Sequence, residues 1–236
     1  MLNNTRTGRL QKKLRRCVIS ITAATCLVVA GYSGAYSKQE QVWINTVSNI
    51  YGARAGKRVE TWRAVLSDLQ GQPEKVQLAK VNAFFNQLNF VDDIKLWGKK
   101  DYWATPLEFL GSNAGDCEDF TIAKYFSLLE LGVSDKKLRL VYVKAIELNQ
   151  FHMVLAYYET PRAQPLILDN LIGEIKPASK RNDLLPIYSF NGRNLWVMKT
   201  TQGKLAGKSS RLKLWNDLRS RERSLKLRKP KVNYDE

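Results

Sequence analysis

Helical and strand-like sequence patterns occupy separate parts of this 236-residue chain. Apolar residues recur at three- and four-residue steps, the period of an amphipathic helix, in three stretches: 39–70, 74–88 and 117–132. Gly52 and Gly56 are expected to interrupt the first of them. Four runs rich in apolar and β-branched residues follow, at 138–146, 153–158, 165–169 and 195–198. Because the helices precede the strands, the pattern favours an α+β domain with N-terminal helices packed on an antiparallel sheet.

The first 37 residues have the pattern of a secretory signal peptide. Six Lys and Arg residues and no acid precede the apolar run 17–30, and small residues follow it up to Ser37. We expect cleavage after Ser37, with the bond after Ala35 as the alternative. Because the apolar run is shorter than the roughly 20 residues that span a bilayer, export with cleavage is favoured over an uncleaved N-terminal anchor.

Positive charge is concentrated at the two ends of the chain. The net charge is +16, but residues 1–37 and 199–236 carry nearly all of it, so the central part is close to neutral. A domain without a basic face is not expected to bind nucleic acid. We therefore expect a signal peptide (1–37), a central domain (38–200) and a basic C-terminal tail (201–236). The tail is typical of a solvated helix, or of a basic helix that lies on an anionic membrane or a partner.

One cysteine, Cys117, and the single histidine of the chain, His152, remain once the signal peptide is removed. An unpaired thiol is unusual in an exported protein, where cysteines tend to form disulfides. Cys117 lies where a Gly-rich turn enters a predicted helix, and amide groups at a helix N-terminus favour a thiolate and can bind an oxyanion. His152 begins a strand-like run and could accept the thiol proton. We interpret the pair as a nucleophile and its base.

A third residue, Asp169, ends the strand-like run 165–169, 17 residues after His152. Neighbouring antiparallel strands would bring its carboxylate beside the imidazole, where a carboxylate fixes the tautomer and stabilises the charged ring. Aspartate is also a common turn residue, so the spacing leaves both interpretations open.

Three acidic residues, Asp116, Glu118 and Asp119, flank Cys117. Their negative charge is expected to raise the pKa of the thiol and so oppose the thiolate. They could simply complement the dipole of a helix N-terminus. Alternatively, they bind Ca²⁺ through carboxylate oxygens, and the cation offsets their charge and holds the loop that carries the nucleophile.

Two sequence blocks resemble one family of enzymes. Residues 101–110 (Asp-Tyr-Trp-Ala-Thr-Pro-Leu-Glu-Phe-Leu) and 115–125 (Gly-Asp-Cys-Glu-Asp-Phe-Thr-Ile-Ala-Lys-Tyr) are similar to the bacterial transglutaminase-like cysteine proteinases. Residues 151–155 and 167–171 fall where that family has its other motifs. The resemblance is strongest to the LapG-type periplasmic adhesin proteases, and it extends over about residues 40–200.

This resemblance implies a papain/transglutaminase-like fold with the nucleophile at a helix N-terminus. It assigns nucleophile, base and orienting carboxylate to Cys117, His152 and Asp169. It also implies a Ca²⁺ cofactor held by the acids around the cysteine, which are Asp116, Glu118 and Asp119.

The resemblance further implies a place, a substrate and a partner. Proteases of the LapG type act in the periplasm, where they cleave the N-terminal region of a large repeats-in-toxin surface adhesin at a di-alanine site. Release of the adhesin promotes biofilm dispersal. An inner-membrane receptor with a periplasmic domain sequesters the protease when cyclic di-GMP is abundant. We expect the same periplasmic localisation, substrate and partner here.

Two other functions are compatible with the residues. A transglutaminase-type acyl transferase would use the same Cys-His-Asp triad and pass the thioester to an amine instead of water. A non-catalytic module would bind a membrane receptor, with the basic tail as its docking element.

Overall fold

A computed structural model describes residues 36–198 and 203–234 of the chain. The predicted signal peptide lies outside these residues, apart from its last two positions. Ser37 caps the first helix: its hydroxyl accepts a hydrogen bond from the Glu40 amide at 3.2 Å, and the Glu40 carboxylate accepts one from the Ser37 amide at 2.7 Å. Cleavage after Ser37 would remove this capping box, whereas cleavage after Ala35 would keep it.

Seven α-helices run through the described residues: α1 (Lys38–Tyr51), α2 (Ala53–Leu69), α3 (Glu74–Phe85), α4 (Asp93–Leu96), α5 (Pro106–Ser112), α6 (Cys117–Glu130) and α7 (Lys213–Ser224). Gly52 separates α1 from α2 because its φ of 102° suits glycine. Gly56, the second expected interruption, instead lies inside α2. A Cβ there would fall 1.9 Å from Ser48 Oγ, so glycine lets α1 and α2 approach closely. Within the described ranges, no helix is both long and apolar enough to span a bilayer.

Nine strands are found in the same residues: β1 (Asn89–Phe90), β2 (Ala114–Gly115), β3 (Leu138–Ala145), β4 (Gln150–Tyr157), β5 (Leu166–Leu168), β6 (Lys176–Pro177), β7 (Leu184–Phe190), β8 (Asn194–Val197) and β9 (Lys204–Lys208). Seven of them form an antiparallel sheet in the order β6-β5-β4-β3-β7-β8-β9. A separate parallel pair, β1 with β2, lies immediately before α6. The predicted α+β architecture is confirmed.

The two faces of the sheet bury different sets of side chains. On one face, Leu140, Met153 and Leu155 join the main core with helices α1 to α3, α5 and α6. On the other, Val141, Val143, Val154, Ala156, Tyr158 and Ile167 form a smaller cluster. Because strand side chains alternate, β3 and β4 contribute to both clusters. Helix α6 packs directly on β4, which places the predicted nucleophile over the sheet.

The segment expected as a basic tail is packed into the same compact unit as the rest of the described chain. Strand β9 extends the sheet beside β8, and helix α7 buries Trp215 and Leu218 in the main core. The Trp215 ring stacks on Phe126 and meets Phe190 edge-on. The apolar side chains of α7 thus pack on this domain itself.

Helix α7 closes one wall of an apolar cavity of about 340 Å³ that also contacts Trp62 and Phe126. Glu222 lines this cavity, and burial raises its pKa to about 7 although Arg219 and Arg223 oppose the shift. A carboxyl whose folded pKa is raised loses stabilisation as the pH rises from about 4.5 through 7. We therefore expect Glu222→Gln to be as stable as wild type at pH 4.5 and up to about 3 kcal/mol more stable at pH 8.

Urea denaturation at both pH values measures this difference. Glu159→Gln, at an exposed position, is the matched control and should change stability equally little at either pH. A Glu222→Gln variant that gains no stability between pH 4.5 and 8 would contradict the buried position of this carboxyl.

Candidate active site

Cys117 is the first residue of α6, and a tight turn sets its position. Asn113 ends α5 in the left-handed conformation, and β2 then leads through Asp116, the N-cap, into the helix. A Cβ at Gly115 would lie 2.4 Å from Asp119 Oδ2, so this close approach requires glycine. Cys117 is 9% exposed and forms no disulfide. The predicted nucleophile therefore lies at the N-terminal end of a helix, at the surface of the core.

The Cys117 thiol has two polar neighbours. It donates a hydrogen bond to Glu118 Oε2 at 2.8 Å, and the Met153 amide donates to the sulfur. Met153 follows His152 directly on β4, so the sulfur lies beside the strand that carries the predicted base. Burial first, and then the charges of Glu118 and Asp116, hold the pKa of the thiol well above its usual value. In this structure the thiol is directed at the Glu118 carboxylate.

His152 and Asp169 form a buried hydrogen-bonded pair. The imidazole Nε2 lies 2.7 Å from Asp169 Oδ1, and both side chains are at least 95% buried. Asp169 follows β5, which pairs with β4, so the expected approach of neighbouring antiparallel strands is what brings them together. With Nε2 engaged by Asp169, Nδ1 is the ring nitrogen left to exchange a proton with another group.

Arg181 is a functional neighbour that no sequence pattern indicated. Its Nη2 donates to Asp169 Oδ2 at 2.7 Å and to Asp183 Oδ2 at 2.8 Å. Burial would raise the pKa of Asp169, but hydrogen bonds from His152, Leu171 and Arg181 outweigh it and lower that pKa to about 2. The carboxylate is thus held ionised and in place beside the imidazole.

We expect Arg181→Met to lower the free energy of unfolding by about 3 kcal/mol at pH 7, because it leaves the Asp169 carboxylate buried without its cation. Since the folded pKa of Asp169 is depressed, this loss should shrink as the pH falls from about 4 toward 2. Urea denaturation at pH 7 and pH 3 measures both effects. Lys180→Met, at the exposed neighbouring position, is the control. Equal losses at the two pH values would contradict a pairing with an ionised Asp169.

A second polar cluster lies beside the nucleophile. Carboxylate oxygens of Asp93, Asp116 and Asp119 all come within 4.8 Å of one another. Potential ligand atoms of Asp116, Cys117 and Glu118 likewise lie within 4.8 Å of one another. The structure therefore brings together Asp116 and Asp119 as expected, sets Glu118 toward the thiol, and adds Asp93, which no sequence pattern indicated.

Backbone amides hold two of these carboxylates. The Tyr102 amide donates to Asp93 Oδ2 at 2.5 Å, and the Ala104 amide donates to Asp119 Oδ1 at 2.7 Å. Burial, with the charges of neighbouring acids, raises the pKa of Asp93 to about 7 and that of Asp116 and Asp119 well above the usual range. Three acids gathered in this way repel one another unless protons or a cation offset their charge.

The aromatic residues before the nucleophile serve as packing. Trp97, Tyr102 and Trp103 are each less than 8% exposed, so they do not wall an open groove. A different row of stacked rings crosses the sheet near Cys117, from Phe151 through Tyr142 to Tyr188, with centroids 5.3 and 5.0 Å apart. Phe151 is 59% exposed, so this row reaches the surface.

Comparisons with known proteins agree with this geometry. The family model for bacterial transglutaminase-like cysteine proteinases matches residues 57–202. The structure of Legionella pneumophila LapG is 42% identical in sequence, with a TM-score of 0.68, and the match covers 77% of this chain and 96% of that one.

Two further structures of the same protein are similar. An EGTA-treated form is 43% identical with a TM-score of 0.69, and the match covers 77% of this chain and 96% of that one. A calcium-bound form is 43% identical with a TM-score of 0.67, over 76% of this chain and 97% of that one. No curated protein matches the chain. The chain therefore belongs to the bacterial transglutaminase-like cysteine proteinases, and within that family it is a LapG-type cysteine protease.

Proposed function

We propose that this protease is a calcium-dependent endopeptidase with Cys117 as nucleophile, His152 as general base and Asp169 as the orienting carboxylate. The observation that carries the proposal is the hydrogen-bonded pair of His152 on β4 and Asp169 just after β5. His152 directly precedes Met153, whose amide contacts the Cys117 sulfur. These are the parts that acyl transfer by a thiol requires: a nucleophile, a base next in sequence to the amide that contacts the nucleophile, and a group that orients the base.

The reaction follows from those roles. His152 takes the thiol proton, and the Cys117 sulfur attacks the carbonyl carbon of the scissile peptide. The amide of Cys117, at the start of α6, is placed to donate a hydrogen bond to the resulting oxyanion. His152 then returns the proton to the leaving amine, which leaves a thioester on Cys117. Water, deprotonated by the same imidazole, hydrolyses the thioester and restores the thiol.

The carboxylates beside Cys117 fit a calcium ion. Asp93 Oδ1 and Asp116 Oδ1 are buried and accept no hydrogen bond, as expected of oxygens that bind a cation. We propose that Asp116 and Asp119, with Asp93 and a contribution from Glu118, hold Ca²⁺. When bound, the ion offsets the negative charge that raises the pKa of the thiol. The calcium-bound and EGTA-treated forms of Legionella pneumophila LapG support this proposal.

We propose as substrate the N-terminal region of a large repeats-in-toxin surface adhesin, cleaved at a di-alanine site to promote biofilm dispersal. This step rests on the resemblance of the 101–110 and 115–125 blocks to LapG-type adhesin proteases. The aromatic row from Phe151 to Tyr188 offers an extended apolar surface beside the nucleophile for a peptide to contact.

The same resemblance leads us to propose a periplasmic location and a partner. The basic and apolar pattern of residues 1–37 supports export. The partner is an inner-membrane receptor that senses cyclic di-GMP and sequesters the protease through its periplasmic domain.

Mass spectrometry of the reaction products tests the reaction type. The purified protein is incubated in calcium with an N-terminal adhesin fragment from the same genome, with and without an excess of a lysine-donor peptide. Hydrolysis gives two fragments whose masses sum to the substrate plus one water, and the donor changes neither. Fragments or intact substrate joined to the donor would instead show acyl transfer to an amine.

A further inference from the structure

The peptide group between Trp103 and Ala104 lies between the buried guanidinium of Arg221 and the Asp119 carboxylate. The carbonyl oxygen of Trp103 accepts a hydrogen bond from Arg221 Nη2 at 2.5 Å. The amide of the next residue, Ala104, donates to Asp119 Oδ1 at 2.7 Å. Both groups belong to the same planar peptide unit, so fixing the carbonyl also fixes the direction of the amide. Hydrogen bonds at both ends of one peptide strengthen each other.

Arg221 is itself held rigidly. It lies on α7, is 6% exposed, and forms a buried ion pair with Glu108 of α5. Its Nη1 also donates to the Tyr102 hydroxyl at 2.6 Å, and that hydroxyl donates to Glu108 Oε1 at 2.7 Å. The guanidinium therefore binds residues 102 and 103 through two separate groups.

Residues that follow α7 make further contacts with Glu108 and Tyr102. The Arg228 amide donates to Glu108 Oε1 at 2.9 Å, and the Arg228 guanidinium lies 5.1 Å from the centroid of the Tyr102 ring. The Lys231 amide donates to the Leu96 carbonyl at the end of α4, the helix that begins with Asp93. All these contacts come from residues beyond the 57–202 stretch that matches the family model.

We infer that Arg221 is a positioning residue: from the C-terminal helix it orients the Trp103–Ala104 peptide, and through it the Asp119 carboxylate of the calcium site. The inference rests on the proposed calcium site for its effect on function. Its structural part, the orientation of the Ala104 amide, stands on the contacts alone. The C-terminal segment thus holds residues 102–104, beside the calcium site, in a fixed orientation.

Arg221→Lys tests this role, because lysine keeps the charge beside Glu108 but lacks the planar fork that reaches Trp103 and Tyr102 together. We expect calcium affinity, measured by calorimetry, to fall by about 10-fold, in the range found for groups that support metal ligands. Excess calcium should restore peptide cleavage. Hydrogen exchange of the Ala104 amide in calcium-free protein should become faster, while β3 and β4 amides keep their protection.

Arg223→Met is the matched control, since this exposed arginine lies on the same helix. It should change neither calcium affinity nor Ala104 exchange. An Arg221→Lys protein with wild-type calcium affinity and wild-type Ala104 exchange would overturn the inference, as would faster exchange spread evenly over the whole sheet. If wild type binds no calcium, the proposed function fails, and the Ala104 exchange rate still decides whether Arg221 orients that peptide.

Discussion

Replacing Cys117 by alanine is expected to abolish peptide cleavage, with a loss of at least about 10⁴-fold in kcat. The thiol is the nucleophile of the proposed reaction, and no other cysteine is found among the described residues. The substitution removes a single sulfur atom at the edge of the core, where Cys117 is 9% exposed. The core should therefore remain intact. Cleavage of the adhesin fragment, followed over hours, measures the loss.

Thermal denaturation of the Cys117→Ala protein provides the control. Its midpoint should stay close to that of wild type, because the Glu118 carboxylate that loses the thiol donor is partly exposed and can be hydrated instead. A folded Cys117→Ala protein that still cleaves the fragment would show that another residue is the nucleophile.

The second large effect is expected when charge is removed from the carboxylate cluster beside Cys117. We expect the double substitution Asp116→Asn and Asp119→Asn to eliminate measurable calcium binding and to reduce cleavage by about 100-fold or more. The variant should lose less stability than usual for a polar change in a core, since it relieves repulsion between acids whose pKa values are raised. Calorimetric titration with Ca²⁺ and the cleavage assay measure the two effects.

Asp92→Asn is the matched control. This neighbouring acid is exposed and caps no helix through its side chain, so calcium binding and cleavage should stay at wild-type levels. Full calcium affinity in the double variant would place the ion elsewhere and would remove the proposed link between the cation and the nucleophile.

Local patterns predicted the frame of the domain well. The three expected helical stretches and the four strand-like runs follow from apolar periodicity, which is a local property, and elements were found close to each of them. Strand β7, which pairs with β3 in the sheet, and helix α5 were not predicted. The turn into α6 was also readable, because Gly115, the acidic N-cap and Cys117 are consecutive in sequence. The approach of His152 to Asp169 followed from the pairing of neighbouring strands.

Contacts between distant segments could not be read in the same way. Asp93 reaches the cluster from a helix more than 20 residues upstream, and Arg181 reaches Asp169 from a loop after β6; neither lies in a distinctive motif. The C-terminal segment was misleading because its charge dominates its composition. Its few apolar side chains, Trp215 and Leu218, decide its position by burial in the core.

Calcium control of cleavage can be tested in a single experiment. Wild type and Cys117→Ala are each incubated with the adhesin fragment in EGTA, and an excess of Ca²⁺ or Mg²⁺ is then added. We expect no cleavage in EGTA, full cleavage by wild type after Ca²⁺, little after Mg²⁺, and none by Cys117→Ala under any condition. Equal cleavage by wild type in EGTA and in Ca²⁺ would contradict calcium control.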